Sequence, residues 1–141
     1  MSTAGSSATT PAGGVYLLDT SILILSLRGD GGIRARLAGA SRLYIPSIAL
    51  GELYVGAYGS PTREDEAVRD IDALATGMTI LATDTLTAPI YGRAKSDLKR
   101  RGYAMPDNDI WIAATAMQHG LTLAARDTHF DLIGGLAHEQ W

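Results

Sequence analysis

Val15-Tyr16-Leu17-Leu18-Asp19-Thr20-Ser21 decides the fold. A compact apolar run closed by an acid and two hydroxyl residues reads as a short strand buried on both faces. Working outward, Ile22 to Leu27 starts a helix, Asp30-Gly31-Gly32 breaks it, and Ile33 to Ala40 resumes a helical pattern. Leu43 to Ile45 reads as a second strand stopped by Pro46, with Ser47 placed to cap a helix running to about Tyr58. Thr62 to Thr76, with an apolar stripe at Ala67, Ile71 and Leu74, reads as an exposed helix. Thr79 to Leu81 is a third strand, and a long helix follows from about Thr85 to Arg101, ended by Gly102. Pro106-Asp107-Asn108 opens a helix that Gly120 closes after His119. Leu121 to Ala125 is a fourth strand, Phe130 to Ile133 a short helical turn, and an edge strand is expected near Ala137. Strands that alternate with helices predict an α/β fold, a central, mainly parallel sheet of four to five strands flanked by helices.

The chain has 141 residues, and 46% of them are hydrophobic. That suits one domain with a real core, expected over residues 15–141. Met1 to Gly14, rich in Ser, Thr, Ala and Gly, reads as a flexible tail without the basic start and apolar segment of a secretory signal. No apolar run approaches a membrane span, so no membrane association is expected. Cysteine is absent, which excludes disulfides, thiolate zinc sites and cysteine nucleophiles and fits a cytoplasmic protein. The net charge is −3, against a general nucleic-acid binder. Two divalent cations would more than cancel it. The bases also cluster, with Arg93, Lys95, Lys99, Arg100 and Arg101 in one helical stretch.

Four acids occupy positions where a charge is costly. Asp19 ends the first strand and Asp127 follows the fourth. In an open α/β sheet both stand at the carboxyl edge, where ligands bind. Helix capping is the alternative for Asp19 and a turn role for Asp127. Glu52 has Ile48, Ala49, Val55 and Gly56 as its helical neighbours, so it belongs to an apolar face, whether as a site residue or a glutamate at the edge of the core. Asp109 sits in the first turn of its helix with Ile112, Ala113 and Ala116 on its face, while Asp107 and Asn108 are available for capping. Asp84 follows the third strand and reads as a cap. Carboxylates drawn together from separate segments need a cation between them. Hard oxygen donors select Mg²⁺ or Mn²⁺ over zinc. The reaction class this implies is metal-assisted phosphodiester hydrolysis with water as nucleophile. A GxxxxGK[ST] loop and a G-x-S-x-G elbow are both missing, and His119, His129 and His138 show no paired ligand spacing.

With these acids placed, the chain resembles PIN-domain ribonucleases of the VapC toxin type. The resemblance covers nearly everything after the tail and rests on Leu17-Leu18-Asp19-Thr20-Ser21, Ser47-Ile48-Ala49-Leu50-Gly51-Glu52-Leu53, Asn108-Asp109-Ile110-Trp111-Ile112-Ala113-Ala114 and Leu121-Thr122-Leu123-Ala124-Ala125-Arg126-Asp127 before His129-Phe130. It implies a PIN-like fold in which Asp19, Glu52, Asp109 and Asp127 are both the catalytic and the metal-binding residues. It also implies an endoribonuclease using Mg²⁺ or Mn²⁺ on RNA such as tRNA or rRNA, a homodimer, and a cognate antitoxin that blocks the site. The family usually carries Thr or Ser where this chain has Ala125; Thr20 and Ser21 lie close enough in the motif to compensate. A PIN-fold module that binds RNA or protein without catalysis is the alternative. Tyr54 and Tyr58, with Leu50 and Val55, are candidates to line an antitoxin groove, or to pack in a dimer or core.

Overall fold

The computed structural model describes residues 13–141. The expected tail therefore lies outside the described residues up to position 12. Its last two residues are part of the fold: Gly13 N–H donates to Gly39 O at 2.8 Å, and Gly14 O accepts from Ser41 N–H at 2.9 Å.

Among the described residues, five strands form the sheet: β1 (Val15–Leu18), β2 (Arg42–Pro46), β3 (Thr79–Leu81), β4 (Thr122–Ala125) and β5 (His138–Gln140). Their spatial order is β3-β2-β1-β4-β5, and each neighbouring pair is parallel. Six helices cover it: α1 (Thr20–Leu27), α2 (Gly31–Gly39), α3 (Ser47–Tyr58), α4 (Glu64–Thr76), α5 (Thr87–Arg100) and α6 (Asp107–His119). A 3₁₀ turn (Thr128–Leu132) links β4 to β5. None of the described helices is long and apolar enough to cross a membrane.

Registers such as Leu17 opposite Tyr44 on one side and Leu123 on the other place β1 at the centre. Leu17, Leu18, Ile45 and Leu123 are fully buried, as strands covered by helices on both faces require. On α6, the small buried residues Ala113, Ala114 and Ala116 let that helix lie close in the core. It ends at Gly120, whose φ of 64° is the left-handed conformation that glycine adopts without a Cβ penalty.

The chain order reverses at β1. From there the strands run outward through β2 to β3, and later through β4 to β5. The crevice between β1 and β4 is therefore a topological switch point, where parallel α/β sheets bind ligands.

Two local expectations change and a third holds. Pro46, not Ser47, occupies the N-cap of α3, and no side chain caps that end; Ser47 is the first helical residue. Pro106 likewise precedes α6 without a side-chain cap. Asp107, free of capping duty, accepts from Tyr91 Oη at 3.0 Å and pairs with Lys95 on α5. Asp84 does satisfy the start of α5, accepting from Leu86 N–H at 2.8 Å and Thr87 N–H at 3.2 Å, which holds its carboxyl below the usual range.

Candidate active site

Asp19 follows β1 at the switch point. Its N–H continues the ladder to Ala124 O at 2.9 Å, which fixes it beside the end of β4. It is 5% exposed and caps α1 with one oxygen: Oδ2 accepts Ser21 N–H at 3.2 Å and Ser21 Oγ at 2.7 Å. The capping alternative therefore accounts for only half of this carboxylate. Oδ1 is buried with no partner. An unpaired carboxylate oxygen away from water is costly, and burial pushes the Asp19 carboxyl upward against the Ser21 hydrogen bonds.

Glu52 comes from α3, one turn from buried Ala49 and next to buried Leu53. Its Oε1 accepts Thr20 Oγ at 2.5 Å. Asp109, in the first turn of α6, completes the group. Burial, then the charge of Asp19, push its carboxyl up to about 6; the charge of Glu52 adds to this and the neighbouring His129 opposes it. Asp19, Glu52 and Asp109 thus lie within one another's fields although three different elements carry them.

Asp127, beyond β4, is more exposed, with 55% of its side chain accessible against 19% for Asp109. It caps the 3₁₀ turn through Oδ1, which accepts His129 N–H at 3.1 Å. His129 stands between the last two acids: Nδ1 is 2.8 Å from Asp127 Oδ2, and Nε2 is 3.0 Å from Asp109 Oδ2. Both ring contacts are charge proximities off the line of a hydrogen bond, and Nε2 is buried without an acceptor. All four expected acids therefore reach one edge of the sheet, but they are not equivalent.

The structure adds His129 to this group and places the Thr20 and Ser21 hydroxyls on Glu52 and Asp19. The hydroxyl support expected from a Thr or Ser at position 125 comes from the first motif instead. Ala125 is fully buried, while Ser21 Oγ also accepts Arg126 N–H at 3.2 Å and so ties the two strand ends together. His129 gave no signal through histidine spacing, because its partners are aspartates.

The donor set fits a hard divalent cation: a buried unpartnered oxygen on Asp19, with Glu52 and Asp109 in electrostatic range. No three acidic or histidine side chains among the described residues yet converge as a finished coordination shell. Mutual repulsion opposes such convergence.

Two surfaces flank the site. A groove of about 340 Å³ between α1, α3 and α4 is lined by Ile24, Leu27, Leu53, Gly56 and Ile71 and reaches Glu52. Tyr54 and Tyr58 do not line it; their rings stack at 5.9 Å, Tyr54 half-buried and donating to Asp72 of α4 and Tyr58 62% exposed. On α5 the basic cluster is partly neutralised, since Lys95 pairs with Asp107, and Arg100 and Arg101 with Asp97.

Known proteins are similar to this chain in sequence and fold. The PIN domain family model matches residues 16–136. Ribonuclease VapC2 of Haemophilus influenzae is 33% identical over 131 residues, covering 89% of this chain and 97% of the relative. The crystal structure of DNA-bound VapBC from Salmonella typhimurium superposes with a TM-score of 0.83 at 27% identity, covering 91% of this chain and 98% of the matched one. VapBC-5 from Mycobacterium tuberculosis, a member of the VapBC family of toxin–antitoxin systems, gives 0.70 at 29% identity, with 92% and 98% covered.

Proposed function

The chain belongs to the PIN-domain family, among its VapC-type members, and from that premise we propose that it is a metal-dependent endoribonuclease toxin restrained by a cognate antitoxin. The observation that carries the reading is the buried, unpartnered Oδ1 of Asp19, facing the fields of Glu52 and Asp109 at the switch point of the sheet. Asp19, Glu52 and Asp109 would hold a Mg²⁺ or Mn²⁺ ion, with Asp127 completing the acidic set. When bound, that ion neutralises phosphoryl oxygens and makes a water molecule a competent nucleophile at neutral pH.

The residues of the chain do the rest. Ser21 and Thr20 fix one oxygen each of Asp19 and Glu52, so those carboxylates are oriented before substrate arrives. Until a cation is present, the acids repel a phosphodiester, which ties substrate entry to metal loading.

The antitoxin reading draws on the relatives solved as VapBC assemblies. The groove beside Glu52, whose apolar lining also carries Arg28, Arg63 and Asp70, suits a segment of such a partner that combines apolar and charged residues. A second copy of this chain is the remaining proposed partner, to be checked by light scattering.

The test is direct. Purified protein should cut RNA, with tRNA and rRNA as first substrates, in Mg²⁺ or Mn²⁺ and not in EDTA. Asp19→Asn should remove the activity. Equal cleavage by the variant, or cleavage in EDTA, refutes the reading. Calorimetric Mn²⁺ binding by the wild type, lost in Asp19→Asn, separates this enzyme from a non-catalytic PIN-fold module.

A further inference from the structure

We infer that His129 is a positioning residue for the acidic site, and that Asp127 acts through it instead of as a direct metal ligand. The inference rests on the reading above, in which Asp19, Glu52 and Asp109 hold the cation.

Asp127 commits both carboxylate oxygens to a single residue. Oδ1 accepts the His129 backbone N–H at 3.1 Å, and Oδ2 lies 2.8 Å from the ring Nδ1. The imidazole is thereby fixed through its main chain and its side chain at once. Phe130 holds it from behind, with ring centroids 4.7 Å apart and Phe130 itself fully buried. The ring's remaining nitrogen is buried and lies 3.0 Å from Asp109 Oδ2, with no other partner available to it.

The order Asp127, His129, Asp109 is an orientation relay. The first turn of α6 fixes the backbone of Asp109 but leaves its side-chain torsions free. His129 against Oδ2 selects one rotamer and leaves Oδ1 for the cation. Exposure runs the same way: the side chain of Asp127 is 55% exposed, His129 28% and Asp109 19%. The outer carboxylate orients the ring, and the ring orients the inner carboxylate. Outer partners of this kind typically change metal affinity about ten- to a hundredfold, where loss of a ligand removes binding.

The experiment is Mn²⁺ titration calorimetry on the full chain: wild type, His129→Ala, Asp127→Ala, the double variant, and His129→Gln. Each alanine variant should weaken Mn²⁺ binding roughly ten- to a hundredfold with unchanged stoichiometry. The double variant should be no weaker than the worse single, because both act along one path. His129→Gln, whose amide nitrogen reaches the place of Nε2, should recover much of the affinity. Asp127→Asn and His129→Asn replace the alanine variants should those fail to fold by circular dichroism. Loss of all Mn²⁺ binding in the Asp127 variant with none in the His129 variant would make Asp127 a ligand and overturn the inference. So would losses that multiply in the double variant. Failure of the wild type to bind Mn²⁺ refutes the parent reading, and this one with it.

Discussion

Asp109→Asn should make the metal-free protein more stable while destroying its activity. The carboxyl of Asp109 is pushed up to about 6 from an ordinary 3.8, chiefly by burial and the charge of Asp19. A raised acid pKa means that the native state keeps a proton which the unfolded chain has already released. Stability from this group is therefore full at low pH and falls as pH rises through the window from about 4 to about 6. At 1.36 kcal/mol per pH unit, the loss by neutral pH is about 3 kcal/mol. Asparagine keeps the shape and removes the charge, so the variant should recover about 1–3 kcal/mol at pH 7.5, the lower end reflecting the weakened contact with His129. For a domain of this size that raises Tm by roughly 3–10 °C. Differential scanning fluorimetry in EDTA at several pH values measures it. The gain should shrink toward zero by pH 4. Saturating Mn²⁺ should reverse the ranking, since only the wild type gains stability from binding. An Asp109→Asn protein less stable at pH 7.5 than wild type, or a difference that ignores pH, refutes the reasoning.

Thr20→Val removes the hydroxyl that holds Glu52 and should weaken Mn²⁺ binding about tenfold by calorimetry, with little change in Tm. Ala125→Ser should change the RNA cleavage rate less than about twofold, because Ser21 and Thr20 already support the acids. Removing Trp141 deletes an indole that packs edge-on against Tyr16 at 4.8 Å and donates to Glu139 at 3.2 Å; urea denaturation should show a loss of about 2–4 kcal/mol. Gly56 borders the groove with open space where a Cβ would stand, so Gly56→Trp should cut antitoxin affinity at least about tenfold in a pull-down titration while RNA cleavage persists.

The inner strands were legible because they are short runs with an apolar core and clear stops, whereas the edge strand His138–Gln140 is polar. Val15–Leu18 is one such run, buried from Tyr16 onward, and its shortness and its stop at Asp19-Thr20-Ser21 mark it as a strand where periodicity alone would not. The acids were legible for the opposite reason: each breaks an apolar context, and local sequence carries that information. His129 was not, because its significance depends on Asp109, which reaches it only after α6 packs beside the end of β4. Asp107 misled for a similar reason. Its position invites capping, but the distant Lys95 and Tyr91 offer a stronger hydrogen-bonding partnership. The division of labour between Tyr58 and Leu53 on α3 was also hidden, since both read as apolar residues until α4 covers one face.

The sheet order has a consequence for how such a protein is made. β1 leaves the ribosome well before β4, its neighbour on one side. Asp19 gains its backbone anchor on Ala124 only when that strand slots in, and Asp109 and His129 arrive with the same final third of the chain. Long-range pairing of this kind also forms slowly. A nascent or truncated chain therefore carries the acids without the site. The site is therefore complete only once β4 has joined β1 in the sheet.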